Sequence, residues 1–107
     1  MKRKEELPEC PVATTVSLIG SKWKLLILRN LLNGSQRFNE LQRSLEGISH
    51  KVLTDSLKSM IDDGIVERID FHASPAHVEY RLTELGESMR AIIASMEAFG
   101  NFYKSQI

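Results

Sequence analysis

The stretch from Ile48 to Gly64 constrains the fold of this 107-residue chain more than any other segment. Ser49 is a good N-cap, because its side-chain oxygen can accept a hydrogen bond from a free backbone N–H at a helix start. Large apolar residues then recur at helical spacing, whereas the opposite face holds polar and cationic side chains. The apolar stripe consists of Leu53, Leu57, Met60 and Ile61. This pattern predicts a helix buried on one face and turned towards solvent or a polar partner on the other.

A second amphipathic segment, from about Arg37 to Leu45, precedes this helix, and Glu46-Gly47 forms a short connection between them. Two helices joined by such a turn have the outline of a helix-turn-helix. In that motif the second helix enters the major groove of DNA and the first crosses the phosphate backbone.

The period of the apolar pattern changes after Gly64. Residues Ile65 to His72 and Val78 to Leu82 are predicted strands, and the turn between them contains Pro75. A hairpin directly after a helix-turn-helix is the wing of a winged helix. Because an isolated hairpin is only marginally stable, we expect one of its faces to pack on the helices. The residues expected on that face are Ile69, Phe71, Val78 and Tyr80.

Two further helices are predicted before the motif. Pro11 opens the first, with Cys10 before it, because proline is tolerated at the first helical position. Ser21 caps the second, from Lys22 to Leu32, which is apolar almost all the way round and is therefore expected at the centre of the core.

A long final helix is predicted from Glu84 to about Gln106, with Thr83 as its cap. Its apolar residues follow an uninterrupted a/d pattern, which is typical of a helix that packs along a seam. We expect this helix to pack both on its own domain and on a second copy, which makes the protein a homodimer. The residues of the seam are Leu85, Met89, Ile92, Met96, Phe99 and Tyr103.

The length fits a single domain, residues 10–107, preceded by a charged arm, residues 1–9, that we expect to be flexible. The predicted fold class is α+β and mostly helical. The sequence contains no apolar run long enough to span a membrane and no secretory signal, so we expect a cytoplasmic protein. A single cysteine excludes an internal disulfide.

Charge is distributed unevenly along a chain whose net charge is zero. Residues 21–58 contain seven Lys/Arg and three Asp/Glu, whereas residues 59–107 contain four and eight. The basic half includes both helices of the predicted motif, which permits DNA binding.

Enzymatic function has little support, because the sequence lacks a Gly-rich phosphate loop, a nucleophile motif and paired carboxylates in an apolar setting. We predict no cofactor. We also predict no metal site, because two histidines at a hairpin tip, His72 and His77, make a poor one.

Several segments in the same order resemble the HxlR-type winged-helix transcriptional regulators, relatives of the MarR group. They are CPVATTVSLIGSKWKLLIL, RFNELQRSLEGISHKVLTDSLKSMIDDGIVER and VEYRLTELGESM, and the resemblance extends over about residues 10–103. It implies a dimer formed by the N- and C-terminal helices, which adds Val12 and Val16 to the interface. It also implies two winged helices on successive major grooves of a palindromic operator.

Ten residues are candidates for DNA contact. The candidates near the start of the Ser49 helix are expected at base edges. Those at the start of the preceding helix are expected at phosphates. Wing residues are expected in the minor groove. The base-edge candidates are Ser49, His50, Lys51 and Thr54, the phosphate candidates are Gln36, Arg37 and Lys58, and the wing candidates are His72, Ser74 and His77.

Cys10 is a candidate redox sensor. A thiol at a helix N-terminus lies near the positive end of the macrodipole, which favours the reactive thiolate. Some members of the resembled family respond to oxidants or electrophiles through a cysteine at the matching place. The alternative is a small apolar residue packed at the dimer interface.

Two other functions fit the same sequence. One is a winged helix that serves only for contact with another protein. The other is a regulator that senses a small aromatic ligand at the dimer interface, where Met89 and Met96 offer adaptable side chains. The sequence does not identify a small-molecule effector.

Overall fold

A computed structural model describes residues 1–107 as six α-helices and one two-stranded antiparallel sheet. No helix is both long and apolar enough to cross a membrane. The elements are α1 (Pro11–Ile19), α2 (Lys22–Leu31), α3 (Phe38–Ser44), α4 (His50–Asp62), β1 (Val66–Asp70), β2 (Val78–Leu82), α5 (Glu84–Glu87) and α6 (Arg90–Ser105). The predicted winged helix-turn-helix is therefore confirmed, with α3 and α4 as its two helices.

The three predicted N-caps are present. The hydroxyl oxygens of Ser21, Ser49 and Thr83 accept hydrogen bonds from the backbone N–H groups of Lys24, Val52 and Gly86, at 3.1–3.2 Å. Each bond pairs a donor that has no partner within its own helix.

The core lies where α2 and α4 cross, with α3, the hairpin and the C-terminal helices around them. α2 contributes three buried residues and α4 contributes Leu53, Leu57 and Met60. The central position predicted for α2 is thus confirmed. Burial of a Leu or Ile side chain of this kind contributes about 1.5–3 kcal/mol.

The hairpin, which we call the wing (residues 65–82), differs from expectation in its faces. In its register Arg68 lies opposite Tyr80 and Ile69 lies opposite Glu79. Because side chains directly opposite in a sheet share a face, Ile69 and Phe71 lie on one side and Val78 and Tyr80 on the other. The prediction of one shared apolar face is therefore wrong.

Phe71 accordingly remains 52% exposed, with its ring 4.6 Å from that of His77. On the other strand, Tyr80 exchanges two backbone hydrogen bonds with Gln36, at 2.8 and 3.0 Å. The segment before α3 thus pairs with the wing, and this pairing ties the helix-turn-helix to the hairpin.

The C-terminal segment is also different, because the single helix expected over residues 84–106 is two helices. Around Ser88 and Met89 backbone hydrogen bonds join residues three apart, as in a 3₁₀ turn. The Met89 N–H donates to the Gly86 carbonyl, and the Ile92 N–H donates to the Met89 carbonyl. α5 packs on β2 whereas α6 packs on α2. The two helices have different partners, and the a/d pattern is interrupted between them.

Residues 1–9, which we predict to be flexible, contain a 3₁₀ turn at Lys4–Glu6. The Thr14 hydroxyl donates to the carbonyl of Pro8 at 3.0 Å, which links this arm to α1.

Candidate nucleic-acid interface

The outer face of α4 is polar and, apart from the half-buried Thr54, exposed, whereas its inner face is almost completely buried. We call the outer face the recognition face. The amphipathic division predicted for this helix is confirmed. The recognition face consists of Ser49, His50, Lys51, Thr54, Asp55 and Lys58.

Asp55 lies on the recognition face as the ion-pair partner of Lys51. The Lys51 Nζ lies 2.7 Å from the Asp55 Oδ2. This hydrogen bond, together with the charge attraction, raises the pKa of Lys51 and lowers the pKa of Asp55. Asp55 was not among the predicted site residues, although its i,i+4 spacing from Lys51 is a signal for such a pair.

His50 is held by neighbours on two helices. Its ring centroid lies 4.8 Å from that of Phe38 on α3, and its Nδ1 lies 3.5 Å from the Thr54 hydroxyl. When Nδ1 is the atom turned towards Thr54, the other ring nitrogen is left as a donor or acceptor for a ligand. Sequence reasoning missed Phe38, because this contact depends on how the two helices pack.

Arg37 and His77 meet although they are 40 residues apart in the sequence. An Arg37 guanidinium nitrogen, Nη2, lies 2.6 Å from the His77 Nδ1. On its other side the His77 Nε2 lies 2.5 Å from a Glu79 carboxylate oxygen, and the Ser35 hydroxyl donates to the second oxygen at 2.8 Å. The start of α3 is thus connected to the wing.

These contacts also affect the Glu79 carboxyl. The hydrogen bond from His77 is the main cause that lowers its pKa, followed by that from Ser35. Glu79 therefore stays ionised, which keeps it a good acceptor for His77.

An open groove of about 590 Å³ lies between α3 and the wing. Its walls present two guanidinium groups, from Arg37 and Arg43, together with the amide of Asn39 and the carboxylate of Glu40. The guanidinium groups and the Asn39 amide are donors suited to phosphate oxygens, whereas the Glu40 carboxylate is an acceptor and takes the Arg37 backbone N–H at 2.8 Å.

Gln36 is placed differently from its neighbour Arg37. Its backbone pairs with Tyr80, and its side-chain Oε1 is buried without a hydrogen-bond partner. The side chain is thus only partly available to an outside ligand.

The remaining wing candidates, His72 and Ser74, are exposed at the hairpin tip. The Asp70 Oδ1 accepts a hydrogen bond from the His72 backbone N–H at 2.8 Å, and this bond is the main cause that lowers the pKa of Asp70. The structure thus separates His72 and Ser74 at the tip from His77 beside Arg37.

Exposed apolar side chains cover one surface of α1 and α6. Phe99 is 64% exposed, and Phe102 is nearly as exposed. Met89 by contrast is 7% exposed and belongs to the core of the single chain, and Ile92 is half-buried. The other exposed members of the predicted interface are Val12, Val16, Leu85, Met96 and Tyr103.

Cys10 is exposed and directly precedes α1, as its N-cap residue. Its carbonyl accepts the Thr14 N–H at 2.9 Å, and its side chain makes no capping hydrogen bond. No three His, Cys, Asp or Glu side chains lie close enough together to hold a metal ion.

Comparisons with known proteins identify helix-turn-helix transcriptional regulators as similar to this chain. Residues 18–107 match the model of the HxlR-like helix-turn-helix family. The HTH-type transcriptional regulator YdeP of Bacillus subtilis is 37% identical over 103 residues, which is 96% of this chain and 80% of that protein.

Solved structures are similar over most of the chain. The redox regulator HypR in its oxidized form has a TM-score of 0.82 and 39% identity, covering 86% of this chain and 95% of that chain. HypR in its reduced form has a TM-score of 0.85 and 37% identity, covering 89% of this chain and 94% of that chain. A MarR-family transcriptional regulator of Enterococcus faecalis V583 has a TM-score of 0.80 and 34% identity, covering 99% and 93%.

Proposed function

The chain belongs to the HxlR-like helix-turn-helix family of transcriptional regulators, which are not enzymes, and we propose that it acts as a homodimer on a palindromic DNA operator in the cytoplasm. The recognition face is the observation that most directly supports this proposal. It presents donors and cations at the start of the second helix of the motif, where a helix in the major groove meets base edges.

The assignments of the contact residues follow from position on α4, where all but the half-buried Thr54 are exposed. Ser49, His50, Lys51 and Thr54 face base edges in this proposal, with Lys58 towards a phosphate. Arg37 lies at the groove between α3 and the wing, where the DNA backbone would pass. His72 and Ser74 at the wing tip are proposed to reach the minor groove.

Dimerisation is supported by the apolar surface of α1 and α6. A group of exposed large apolar side chains of this kind is unusual on a monomer and indicates an interface. A two-fold dimer presents two recognition faces, so its operator should repeat the same half-site with inverted orientation.

A response to oxidants through Cys10 is the second part of the proposal. Cys10 is exposed at the start of α1, and the similar protein HypR is a redox regulator with an oxidized and a reduced form. A Cys10 thiolate would attack the N=N bond of diamide, and a second thiol, from the partner copy or a small molecule, would then displace the adduct. The two thiols lose two electrons to form the disulfide, and diamide takes these up with two protons as the hydrazine.

The test is fluorescence anisotropy with the DNA upstream of the protein's own gene and with random DNA, at two salt concentrations. Specific binding that weakens steeply with salt is expected, because neutralised phosphates release counterions. If the two DNAs bind equally and without salt dependence, the DNA-binding proposal is wrong and a protein-interaction module is the better interpretation.

The same titration with diamide tests Cys10. We expect diamide to change the affinity of the natural protein and to leave that of Cys10→Ser unchanged. If Cys10→Ser responds to diamide as the natural protein does, the sensor proposal fails while the regulator proposal stands.

A further inference from the structure

We infer that His77 and Glu79 are positioning residues that hold Arg37 for its contact with the DNA backbone, and that His77 itself does not touch DNA. This inference rests on the proposed function. The wing therefore acts on DNA partly through α3, in addition to any contact made at its tip.

The hydrogen-bond roles in this cluster follow from the groups themselves. A guanidinium only donates, so the His77 Nδ1 must accept from Arg37. An ionised carboxylate only accepts, so the His77 Nε2 must carry the proton that is donated to Glu79. Both bonds can form at once only in the neutral ring with its proton on Nε2.

The cluster is anchored more firmly than Arg37 alone. Glu79 lies within β2, and its side chain is 26% exposed, against 32% for that of His77. Ser35 fixes the second carboxylate oxygen of Glu79 at 2.8 Å. An arginine that is otherwise exposed thus gains an anchor in the sheet, which reduces the conformational entropy that it would lose on binding.

Arg37 retains most of its donors in this position. It uses one N–H of a fork that has five, so the others remain free for a phosphate. Arg43 and Asn39 line the same groove and add donors around that position. The contact with His77 therefore orients the guanidinium and leaves most of its N–H donors free.

Protonation of His77 would remove the acceptor that Arg37 uses. The charged groups that face the ring are Arg37, from the start of α3, and Glu79, from β2, and the Phe71 ring at the end of β1 is uncharged. A second proton on Nδ1 would turn an N–H towards the guanidinium and add a like charge beside it. Arg37 would then lose its anchor.

A double-mutant cycle in anisotropy with the upstream DNA tests the inference. Arg37→Ala should weaken binding by about tenfold, as expected for a charge-assisted bond. His77→Ala should weaken binding by about threefold or more in the natural protein and have no effect in Arg37→Ala. Glu79→Ala should behave as His77→Ala does, and circular dichroism should confirm that each variant is folded.

The conservative variant His77→Gln provides the rescue, because its amide can accept from Arg37 and donate to Glu79. It should restore most of the affinity that His77→Ala loses. If the His77→Ala penalty persists in the Arg37→Ala background, His77 touches DNA or shapes the wing independently, and the inference is wrong. Tighter binding by His77→Ala would also overturn it, since His77 would then be restraining Arg37 from DNA.

A pH readout separates positioning from a purely structural role. Protonation at low pH removes the acceptor that the His77 Nδ1 offers, so the cost of Arg37→Ala should become smaller as the pH is lowered. In the His77→Gln background the cost should not change with pH. An equal pH dependence in both backgrounds would contradict the inference.

The two proposals fail in different ways. Absence of specific, salt-dependent binding by the natural protein would contradict the regulator proposal. If specific binding is found and the losses of affinity caused by Arg37→Ala and His77→Ala are additive in the double variant, only the positioning role is contradicted.

Discussion

The Lys51 ammonium lies 2.7 Å from the Asp55 carboxylate, one turn further along the exposed face of α4. Lys51, the lysine at the start of the recognition face, is therefore already in an ion pair before DNA is present. Asp55 takes one of the three Lys51 donors and places a negative charge where a phosphate would approach, and this competition should weaken binding to DNA of any sequence.

Asp55→Asn should consequently bind random DNA more tightly. The change removes a negative charge that would face phosphates, and it also releases the Lys51 ammonium from its ion pair. Loss of an exposed ion pair of this kind corresponds to about a two- to fivefold change in DNA affinity at low salt. Anisotropy with operator and random DNA measures both effects. The matched variant Lys51→Ala should lose affinity. Weaker operator binding by Asp55→Asn would contradict the competition and indicate that Asp55 accepts a bond from cytosine.

Phe99→Asp should convert the proposed dimer into a monomer. Phe99 is 64% exposed among the apolar side chains of α6, and a charge placed there would lose its hydration without gaining a partner when a second copy covers this surface. Light scattering after size exclusion gives the mass directly. Phe71→Asp is the control, because Phe71 is a similarly exposed aromatic residue on the wing and should leave the dimer intact. A dimeric Phe99→Asp protein would place the interface elsewhere.

Gly86→Ala should destabilise the protein. A Cβ at this buried position would lie 2.3 Å from the Ile65 carbonyl oxygen, so α5 or the backbone just before β1 must shift, at a cost of about 1–3 kcal/mol. Urea unfolding measures the loss. Gly100→Ala is the control, since nothing lies within 4 Å of its added methyl group and alanine favours a helix by about 1 kcal/mol. Equal stability of the two variants would contradict the close packing at Gly86.

Asp70 should titrate below the ordinary range of aspartate, because its ionised form accepts the His72 N–H. A lowered folded-state pKa means that Asp70 stabilises the wing tip above about pH 3.9, and that this contribution disappears as the pH falls through the folded-state value. The His72 amide shift, followed by NMR from pH 7 to pH 2, reports the midpoint. Asp70→Asn should abolish this transition. A midpoint at or above the ordinary value would show that the bond does not form in solution.

The sequence alone predicted most of the secondary structure. The helices α2, α3 and α4 begin and end within about one residue of expectation, and β2 matches its predicted range. Capping side chains and apolar periodicity are properties of neighbouring residues, so they can be read along the chain. The outward position of Lys51 on α4 follows from the same periodicity.

Other features depended on which distant segments meet. The register that places Ile69 with Glu79 is set between two strands, and the interruption near Met89 arises because α5 and α6 pack on different elements. Phe38 beside His50 and Arg37 beside His77 are contacts between elements, for which the sequence offers no spacing rule.

The sequence by itself thus determined the order of the elements, the buried faces of α2, α3 and α4, and the family resemblance, because each is encoded in short-range patterns. Only the tertiary structure decided how the apolar residues of the wing are divided between its two faces, that Met89 belongs to the core, and that Arg37 contacts His77 of the wing. The physical reason is that a side chain's partner across a fold depends on the register and packing of whole elements, and a single residue of shift exchanges one partner for another.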